Sequence, residues 1–230
     1  MDPLNCDRFP VRSINQALRR LDAGASATVI NPRGRHNLAV GLAEPASITI
    51  EGNAGYFVGG LCGLADGTGP DIVVEGFVGW SVGENLMGGS VRVRGSASQS
   101  AGASAHGGLI SIHGDASLRA GISLKGATVA VAGDAGAMTG FMAQAGTILI
   151  GGDAGPGLGD SLYEAVIYVR GRVESLGADA QEEELTDDDV LTVKRLVEAT
   201  GFDHIDPGRV RRVGSARRLY HYSTHNHGVY

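Results

Sequence analysis

Three aspartates recur every 19 residues and could together hold a cation. They are Asp115, Asp134 and Asp153, and each directly follows a glycine. Carboxylates are ligands for hard cations such as Ca²⁺, but like charges stacked one strand apart repel each other. Aspartate is also common in solvent-facing turns. The pattern therefore favours turn residues over a metal site.

Histidines near the end of the chain offer a second possible metal site. His221, His225 and His227 lie within the segment HYSTHNH, at a spacing that could reach a metal. Structural zinc sites need four converging ligands, and no cysteine lies nearby, so this segment is predicted to be a structural or interface tail. His106 and His113 fall at different phases of the repeat described below, so nothing in the sequence brings them together.

No set of residues indicates catalysis or cofactor binding. Cys6 and Cys62 are far apart in sequence, which suits a reducing compartment, and Cys62 is expected to face inward. No Ser/His/Asp or Cys/His set is legible. The glycine motifs lack both the lysine and the strand-to-helix junction of phosphate-binding loops. The sequence predicts no catalytic, cofactor-binding or metal-binding residue.

Five arginines near the C-terminus could bind nucleic acid. They are Arg209, Arg211, Arg212, Arg217 and Arg218. The whole chain has a net charge of −6, and an acidic segment precedes the arginines. Ion pairs within the chain or with a protein partner are therefore favoured over nucleic-acid binding. Deleting residues 209–230 is then expected to leave a folded protein that no longer assembles with its partner.

A glycine that returns every 19 residues organises most of the chain. Before each of these period glycines, Ile or Val stands four and two residues earlier, as Ile72 and Val74 do before Gly76. Alternating β-branched residues predict one strand with one buried face in each repeat. The period glycines are Gly76, Gly95, Gly114, Gly133, Gly152 and Gly171, with Gly52 opening the series.

A second glycine, seven residues after each period glycine, indicates where the chain turns. Because glycine tolerates positive φ, the repeated glycines are predicted to be corners. Two further columns of mostly small or apolar residues give three inward-facing walls. The pattern predicts an all-β solenoid, a right-handed parallel β-helix of about seven to eight coils with short helices at the N- and C-terminal ends.

Two departures from the period lie near the start of the solenoid. Residues Val29 to Gly34 resemble an irregular first coil, because Gly34 precedes Gly52 by 18 residues. The interval from Gly52 to Gly76 is 24 residues, and its extra length falls in the segment Leu61 to Pro70. Insertions of this kind emerge from solenoids as surface loops, often on a binding face.

Helix signals flank the solenoid. The segment beginning at Ser13 has the form of a capping box for a helix through Leu21, which could close one end of the rod. Thr186 caps a second predicted helix over Asp187 to Thr200, and Gly201 stops it. We divide one structural domain into an N-terminal helical cap (1–28), the β-helix (29–178) and a C-terminal helix with a basic and aromatic tail (179–230).

The composition is that of one soluble domain. The chain has 230 residues, of which 43% are hydrophobic, and its mean hydropathy is +0.02. Its apolar stretches are too short to cross a membrane. Residues 1–25 lack the apolar core of a secretory signal, so a cytoplasmic location is expected.

The glycine pattern resembles the GXGXG repeat domain found at the C-terminus of the glutamate synthase large subunit. The free-standing version of that domain, associated with N-methylglutamate synthase and related glutamine amidotransferase systems, is similar over essentially the whole chain. Its likeness is greatest after Gly159 and in the ending GSARRLYHYSTHNHGVY. The matching segments have the form G-x-x-G-x-x-x-G and are Gly52-Asn53-Ala54-Gly55 to Gly59, Gly133-Asp134-Ala135-Gly136 to Gly140, and Gly152-Asp153-Ala154-Gly155 to Gly159.

This resemblance implies a non-catalytic scaffold subunit in a hetero-oligomer. One partner would be a class II glutamine amidotransferase-like subunit with an N-terminal cysteine nucleophile. The other would be an FMN-dependent glutamate synthase-like subunit with an iron–sulfur cluster, so this chain itself would bind no cofactor. Cys6 is not placed to act as an N-terminal nucleophile, and two cysteines are too few for a cluster. Ser98 and Ser117 replace the middle glycine of the motif, and no family residue is carried over as catalytic.

Two other functions remain open at this point. The C subunit of formylmethanofuran dehydrogenase shares the glycine motif, which would make the chain a scaffold in one-carbon metabolism. A self-assembling structural β-solenoid is the other, although helices at both ends oppose edge-to-edge pairing.

Overall fold

Each repeat contributes one strand to a single sheet. The computed structural model describes residues 2–217. Consecutive strands pair in parallel as the chain winds through about eight turns, so the predicted parallel β-helix is confirmed. The parallel strands are β1 (Leu4–Asn5), β2 (Ser26–Ile30), β3 (Ser47–Glu51), β4 (Asp71–Val74), β5 (Ser90–Val93), β6 (Leu109–Ile112), β7 (Lys125–Val131), β8 (Ala145–Ile150) and β9 (Val166–Val169).

The sequence period matches the strand register. Ile72 lies opposite Val91, and Val74 lies opposite Val93, one period along the chain. The same register continues to β9, so β-branched side chains stack in rows inside the rod. These rows are almost fully buried. Each such side chain contributes about 1.5–3 kcal/mol of hydrophobic stabilisation.

Two further walls complete each coil and confirm the predicted inward columns. The column represented by Leu86, Leu124 and Leu162 is fully buried. Backbone N–H groups of one coil donate to carbonyls of the coil before, as Lys125 does to Ala105 at 2.8 Å. A ladder of single parallel bridges joins Ala54, Val78, Ala97, Ala116, Ala135, Ala154 and Val173.

The repeated glycines have two different structural reasons. The second glycines are corners, as predicted, with φ of +66° at Gly83 and +71° at Gly102. Among the period glycines only Gly52 has positive φ, so the corner interpretation is wrong for the others. A Cβ on Gly133 or Gly152 would collide with a side-chain oxygen of the preceding coil. These positions are glycine because the preceding coil lies too close for a Cβ.

The insertion before β4 forms the predicted surface loop. Leu64 N–H donates to Thr68 O at 2.7 Å, and Asp66 Oδ1 accepts from Thr68 N–H at 2.9 Å. This second bond is the main reason that the pKa of Asp66 lies below its usual value. A Cβ on Gly69 would lie 2.5 Å from Gly88 O, so the loop base packs tightly on the next coil.

Helix α1 (Val11–Leu18) begins and ends earlier than predicted. Ser13 N–H donates to Pro10 O at 2.9 Å, so Ser13 already lies inside the helix. The capping box at Ser13 is therefore wrong, as is the end at Leu21. Pro10 precedes the first turn in an extended conformation and provides no side-chain cap. Its ring fixes φ near the −67° found there.

Helix α1 closes the N-terminal end of the rod. Ile14 and Leu18 belong to the same buried core as the lumen. Asn15 Nδ2 donates to Asn37 O at 2.7 Å, and Asn15 Oδ1 accepts from Ala39 N–H at 2.9 Å. These bonds hold the helix against the first coil, in agreement with the prediction that an N-terminal helix closes one end of the rod.

The C-terminal segment adds two strands that were not predicted. They are β10 (Ala180–Glu183) and β11 (Arg211–Ser215), and β11 pairs antiparallel with both β9 and β10. Between them lie α2 (Asp187–Thr200) and a 3-10 turn at Pro207–Arg209. Deleting residues 209–230 would remove β11 from the sheet, so a loss of assembly in that variant would not by itself show that the tail docks a partner.

Helix α2 has the predicted bounds and covers the outer face of the last strands. Thr186 Oγ1 accepts from Asp189 N–H at 3.2 Å at its start, and Gly201 ends it with φ of +73°. Val193 belongs with Leu149 and Ala130 to a second apolar cluster, separate from that of the lumen. Within residues 2–217, no helix has the length and apolar character needed to span a bilayer.

Candidate interaction surface

The aspartate column (Asp115, Asp134 and Asp153) stabilises the rod itself. Asp115 Oδ1 accepts from Asp134 N–H at 2.8 Å, and Asp134 Oδ1 accepts from Asp153 N–H at 2.7 Å. Asn53 and Ser96 use their side-chain oxygens in the same way in other coils. Each side chain thus satisfies a backbone donor that the corner would otherwise leave unpaired.

The column ends at an ion pair. Asp153 Oδ1 accepts from Arg172 N–H at 2.8 Å, and Asp153 Oδ2 accepts from Arg172 Nη2 at 2.7 Å. These bonds lower the pKa of Asp153 below its usual value. The two residues line an open cleft of about 550 Å³. No group of three metal-ligating side chains occurs among residues 2–217. The carboxylates of the column instead accept hydrogen bonds from backbone N–H groups of the next coil.

The two candidate histidines inside the repeats lie apart and have different surroundings. His106 is exposed, whereas His113 packs edge-on against Phe202, with ring centroids 5.2 Å apart. Burial, together with the nearby Arg94 and Arg92, lowers the pKa of His113. His113 Nε2 and Arg92 Nε are both buried, and neither has a hydrogen-bond partner among residues 2–217. His221, His225 and His227, which were predicted to belong to a structural or interface tail, lie outside the described residues.

Both cysteines are buried, free thiols. Cys62 faces inward, as predicted, and its Sγ donates to Ala39 O at 3.1 Å. Burial raises the pKa of Cys62 to about 11. Burial also raises the pKa of Cys6. A thiol with a raised pKa is a poor nucleophile at neutral pH, so both residues serve packing.

Two of the four described arginines of the C-terminal run, Arg211 and Arg212, form ion pairs within the chain, as predicted for the run. Arg211 pairs with Glu182 at 3.2 Å, and Arg212 pairs with Glu183 and Asp189. These pairs join β11 to β10 and to the start of α2. Arg217 is exposed, and Arg218 lies outside the described residues.

A buried hydrogen-bond network joins α2 to the sheet. Tyr168 donates from its hydroxyl to Asp189 Oδ1 at 2.5 Å, and Arg212 Nε donates to the same oxygen at 3.1 Å. Burial raises the pKa of Tyr168, and so does the Asp189 carboxylate. For Asp189, hydrogen bonds from Thr186 and Tyr168 outweigh the burial that would raise its pKa, and they bring it below its usual value.

An aromatic column stands on one exposed corner of the first coils. It consists of His36, Tyr56 and Trp80. The His36 and Tyr56 ring centroids are 4.3 Å apart, and those of Tyr56 and Trp80 are 5.1 Å apart, with the planes nearly parallel. His36 Nδ1 accepts from Tyr56 N–H at 2.9 Å, so Nδ1 carries no proton in this arrangement. Tyr56 and Trp80 are 43% and 47% exposed.

Glycines provide the floor on which these rings lie. A Cβ on Gly79 would lie 2.5 Å from Tyr56 Cδ1, and a Cβ on Gly55 would overlap the His36 ring. Neither glycine has positive φ, so the corner interpretation is wrong here too. Gly55 and Gly79 are the middle glycines of the motif, three residues after a period glycine. Glycine is needed at these two positions because a ring of the preceding coil rests on the backbone.

A basic cleft adjoins the aromatic column. Arg12, Arg33, Arg35 and His36 line an open cleft of about 680 Å³ together with residues of α1 and the first coil. Arg33 pairs with Asp7 at 2.9 Å. Arg12 and Arg35 are exposed. Residues 2–42 contain six arginines and three aspartates, a net charge of +3 in a chain whose net charge is −6.

Comparison with curated proteins places the chain in a family. It is 51% identical over 224 residues to Protein GlxC of Rhizobium meliloti (strain 1021), and the alignment covers 96% of each chain. This chain belongs to the GlxC family. No family model matches it.

The exposed features of this GlxC-family chain are those of a binding surface. The basic cleft and the aromatic column combine positive charge with stacked rings, which is the composition enriched at protein interfaces. The sequence analysis missed this site. One signal was available, since Tyr56 and Trp80 each stand four residues after a period glycine. The arginines gave no signal, because only the fold brings residue 12 beside residues 33–36.

Proposed function

We propose that this chain is a non-catalytic scaffold subunit of a glutamate synthase-like heteromeric complex. Its place in the GlxC family and its GXGXG-type repeats support this proposal. In the complex, the rod would position a class II glutamine amidotransferase-like subunit against an FMN-dependent synthase subunit. N-methylglutamate synthase and related amidotransferase systems are the candidate types, located in the cytoplasm.

One observation carries the scaffold role. The polar side chains that recur along the repeats are bound to the backbone of the next coil, as at Asp115 and Asp134. The aromatic column, in contrast, is exposed and preorganised. A rod that uses its repeated polar groups internally and presents stacked rings at one corner suits holding other proteins at fixed positions.

The proposal assigns the redox chemistry to a partner. FMN and an iron–sulfur cluster would be held by the synthase subunit, where glutamine-derived ammonia or methylamine meets the acceptor. Iron–sulfur clusters are held mainly by several cysteine thiolates. The chain has only two cysteines, and both are buried in its core.

The ends of the rod argue against the self-assembling alternative. Strand β1 has two residues only, and α1 contributes Ile14 and Leu18 to the buried core. At the other end β10 is the edge strand and carries Glu182 and Glu183. Short and charged edge strands discourage pairing with further copies.

Affinity purification from the native host tests the proposal. The chain would carry a C-terminal tag, with an untagged strain as control, followed by mass spectrometry and a visible absorption spectrum of the eluate. We expect an amidotransferase-like and a synthase-like subunit in fixed ratio, with flavin and iron–sulfur absorption. Recovery with a molybdenum or tungsten enzyme would replace the proposal with the formylmethanofuran dehydrogenase-like alternative, and a colourless chain recovered alone would overturn it.

A further inference from the structure

We propose that the basic cleft and the aromatic column together form a docking surface for an acidic segment of a partner polypeptide. This surface, called the docking corner below, comprises Arg12, Arg35, His36, Tyr56 and Trp80. The inference rests on the proposed function, because it supplies the place where one partner subunit of the complex would bind. Positive charge and aromatic rings there meet the two needs of such a segment, carboxylate pairing and apolar anchoring.

The rings offer binding area at low entropic cost. Tyr56 and Trp80 are large side chains, yet about half of each remains exposed. Their stacking already fixes the ring planes, so a partner would not have to order them. Trp and Tyr dominate the binding energy of protein interfaces when they anchor in this way.

The ring positions are built into the backbone. Gly55 and Gly79 leave no room for a Cβ beneath the rings of His36 and Tyr56. The bond from Tyr56 N–H to His36 Nδ1 also fixes the imidazole at the start of the stack. Three consecutive coils thus hold the rings in place, in an arrangement that contributes little to the buried core.

The charge of the corner selects the partner's chemistry. Arg12 and Arg35 are exposed and form no ion pair with a residue in the range 2–217. Within the described part of the chain, Arg33 is the one arginine of the cleft that forms an ion pair, with Asp7. Guanidinium groups bind carboxylates through two parallel hydrogen bonds, so two such arginines favour a segment rich in Asp and Glu.

A second copy of this chain fits less well. Its acidic C-terminal part, residues 179–217, has ten acidic and six basic residues, a net charge of −4. Glu182, Glu183 and Asp189 are already paired with arginines of β11. The carboxylates available to bind the docking corner are therefore more readily supplied by a different polypeptide.

Two double variants test the surface in the tagged chain. Tyr56→Ala with Trp80→Ala removes the rings, and Arg12→Glu with Arg35→Glu reverses the charge. The matched control, Lys194→Glu with Arg195→Glu, makes the same change of charge on exposed positions of α2. Leu118→Ala controls for loss of an exposed apolar side chain four residues after a later period glycine. Thermal melting checks that each variant folds.

The measured quantity is the amount of each partner subunit retained per tagged chain over a series of salt washes. Losing hot-spot residues costs about 2 kcal/mol or more of binding free energy. The apparent affinity for one partner subunit should therefore fall about thirtyfold in both test variants and stay near the wild-type value in the controls. A photo-crosslinker at position 80 should label a peptide rich in Asp and Glu on that same subunit. Weaker binding at high salt is expected for the wild type.

Each other outcome overturns a defined part. A wild-type complex that both test variants retain overturns the docking corner and leaves the proposed function standing. A wild-type chain recovered alone overturns the proposed function and the docking corner with it. Crosslinks to a second copy of the chain, or co-purifying nucleic acid that nuclease removes, overturn the acidic partner as the occupant.

Discussion

The aspartate column shows how one side chain can explain two features of the repeat. Each carboxylate accepts the N–H of the residue one coil later, and it occupies the space where a Cβ of the next period glycine would lie. Glycine and aspartate therefore depend on each other along the rod. Asn53 and Ser96 show that the acceptor oxygen matters in this column, whereas the charge does not.

Substitution of Asp134 separates the acceptor from the charge. Asp134→Ala removes the acceptor for Asp153 N–H and should lower the free energy of unfolding by about 1 kcal/mol. Asp134→Asn keeps an acceptor oxygen and relieves repulsion between stacked carboxylates, so its stability should equal or exceed wild type. Urea unfolding followed by circular dichroism measures both. If the Asn variant loses as much as the Ala variant, the negative charge itself stabilises the column and a cation becomes the better explanation.

His113 should make stability depend on pH. An unfolded histidine titrates near pH 6.5, whereas burial and two arginines lower the pKa of folded His113. Between these two pKa values the unfolded chain binds more protons than the folded protein does. The contribution of His113 to the stability of the folded protein is therefore complete above about pH 6.5 and is lost as the pH drops below it. Urea unfolding of wild type and His113→Gln at about pH 8 and about pH 5.5 measures the difference.

His106 provides the control for this titration. It is exposed, and His106→Gln makes the same substitution there. His113→Gln should lose less stability on acidification than wild type and than this control. Equal losses of stability in wild type and both variants would mean that protonation of His113 does not cause the loss on acidification.

At the scale of elements, the sheet separates two apolar layers. Ile148 points into the lumen, whereas its neighbour Leu149 points outward under α2. Both side chains are fully buried. Strand alternation thus uses one face to hold the rod together and the other face to hold the C-terminal helix.

Two neighbouring substitutions should have different local effects. Ile148→Ala and Leu149→Ala each remove buried methyl groups and should cost about 2–5 kcal/mol. Leu149→Ala should speed hydrogen exchange mainly in α2, because it weakens only the outer layer. Ile148→Ala should speed exchange in β7, β8 and β9 as well. If both variants change exchange in the same amides, the two layers unfold as one unit.

How far the elements were predictable depends on how local their signals are. Helix α2 was predicted to the residue, because Thr186 and Gly201 are caps that act within one turn. The strands and their register were also predicted, because the 19-residue period is visible in the apolar residues and glycines of each repeat. Strands β10 and β11 were missed, because their antiparallel pairing joins segments about 30 residues apart without any repeat.

The candidate site was less predictable than the fold. The inward columns follow from apolar residues at fixed spacing, but the docking corner joins Arg12 on α1 to residues of three coils. The outward row of Ala130, Leu149 and Tyr168 becomes apolar where α2 covers it, which was a readable signal. Its meaning required knowing where the helix packs.

At the scale of the whole molecule, the rod has unlike ends. Residues 2–42 have a net charge of +3 and close the lumen with α1, whereas residues 179–217 have a net charge of −4 and end the sheet in charged β10. A stack of parallel strands exposes unpaired N–H and C=O groups wherever it stops. Each end must therefore be blocked if the protein is to remain a separate rod.

Removing the N-terminal block should make the rod associate with itself. Deleting residues 2–22 removes β1 and α1, and with them the cover over β2 and over the lumen. Light scattering should then show a mass that grows with protein concentration, because the open end offers both backbone partners and apolar surface. The matched control, deletion of residues 218–230, leaves both blocks in place and should keep the wild-type mass. A truncated rod that keeps the mass and melting temperature of wild type would mean that α1 and β1 protect nothing, and that the end of β2 resists pairing by itself.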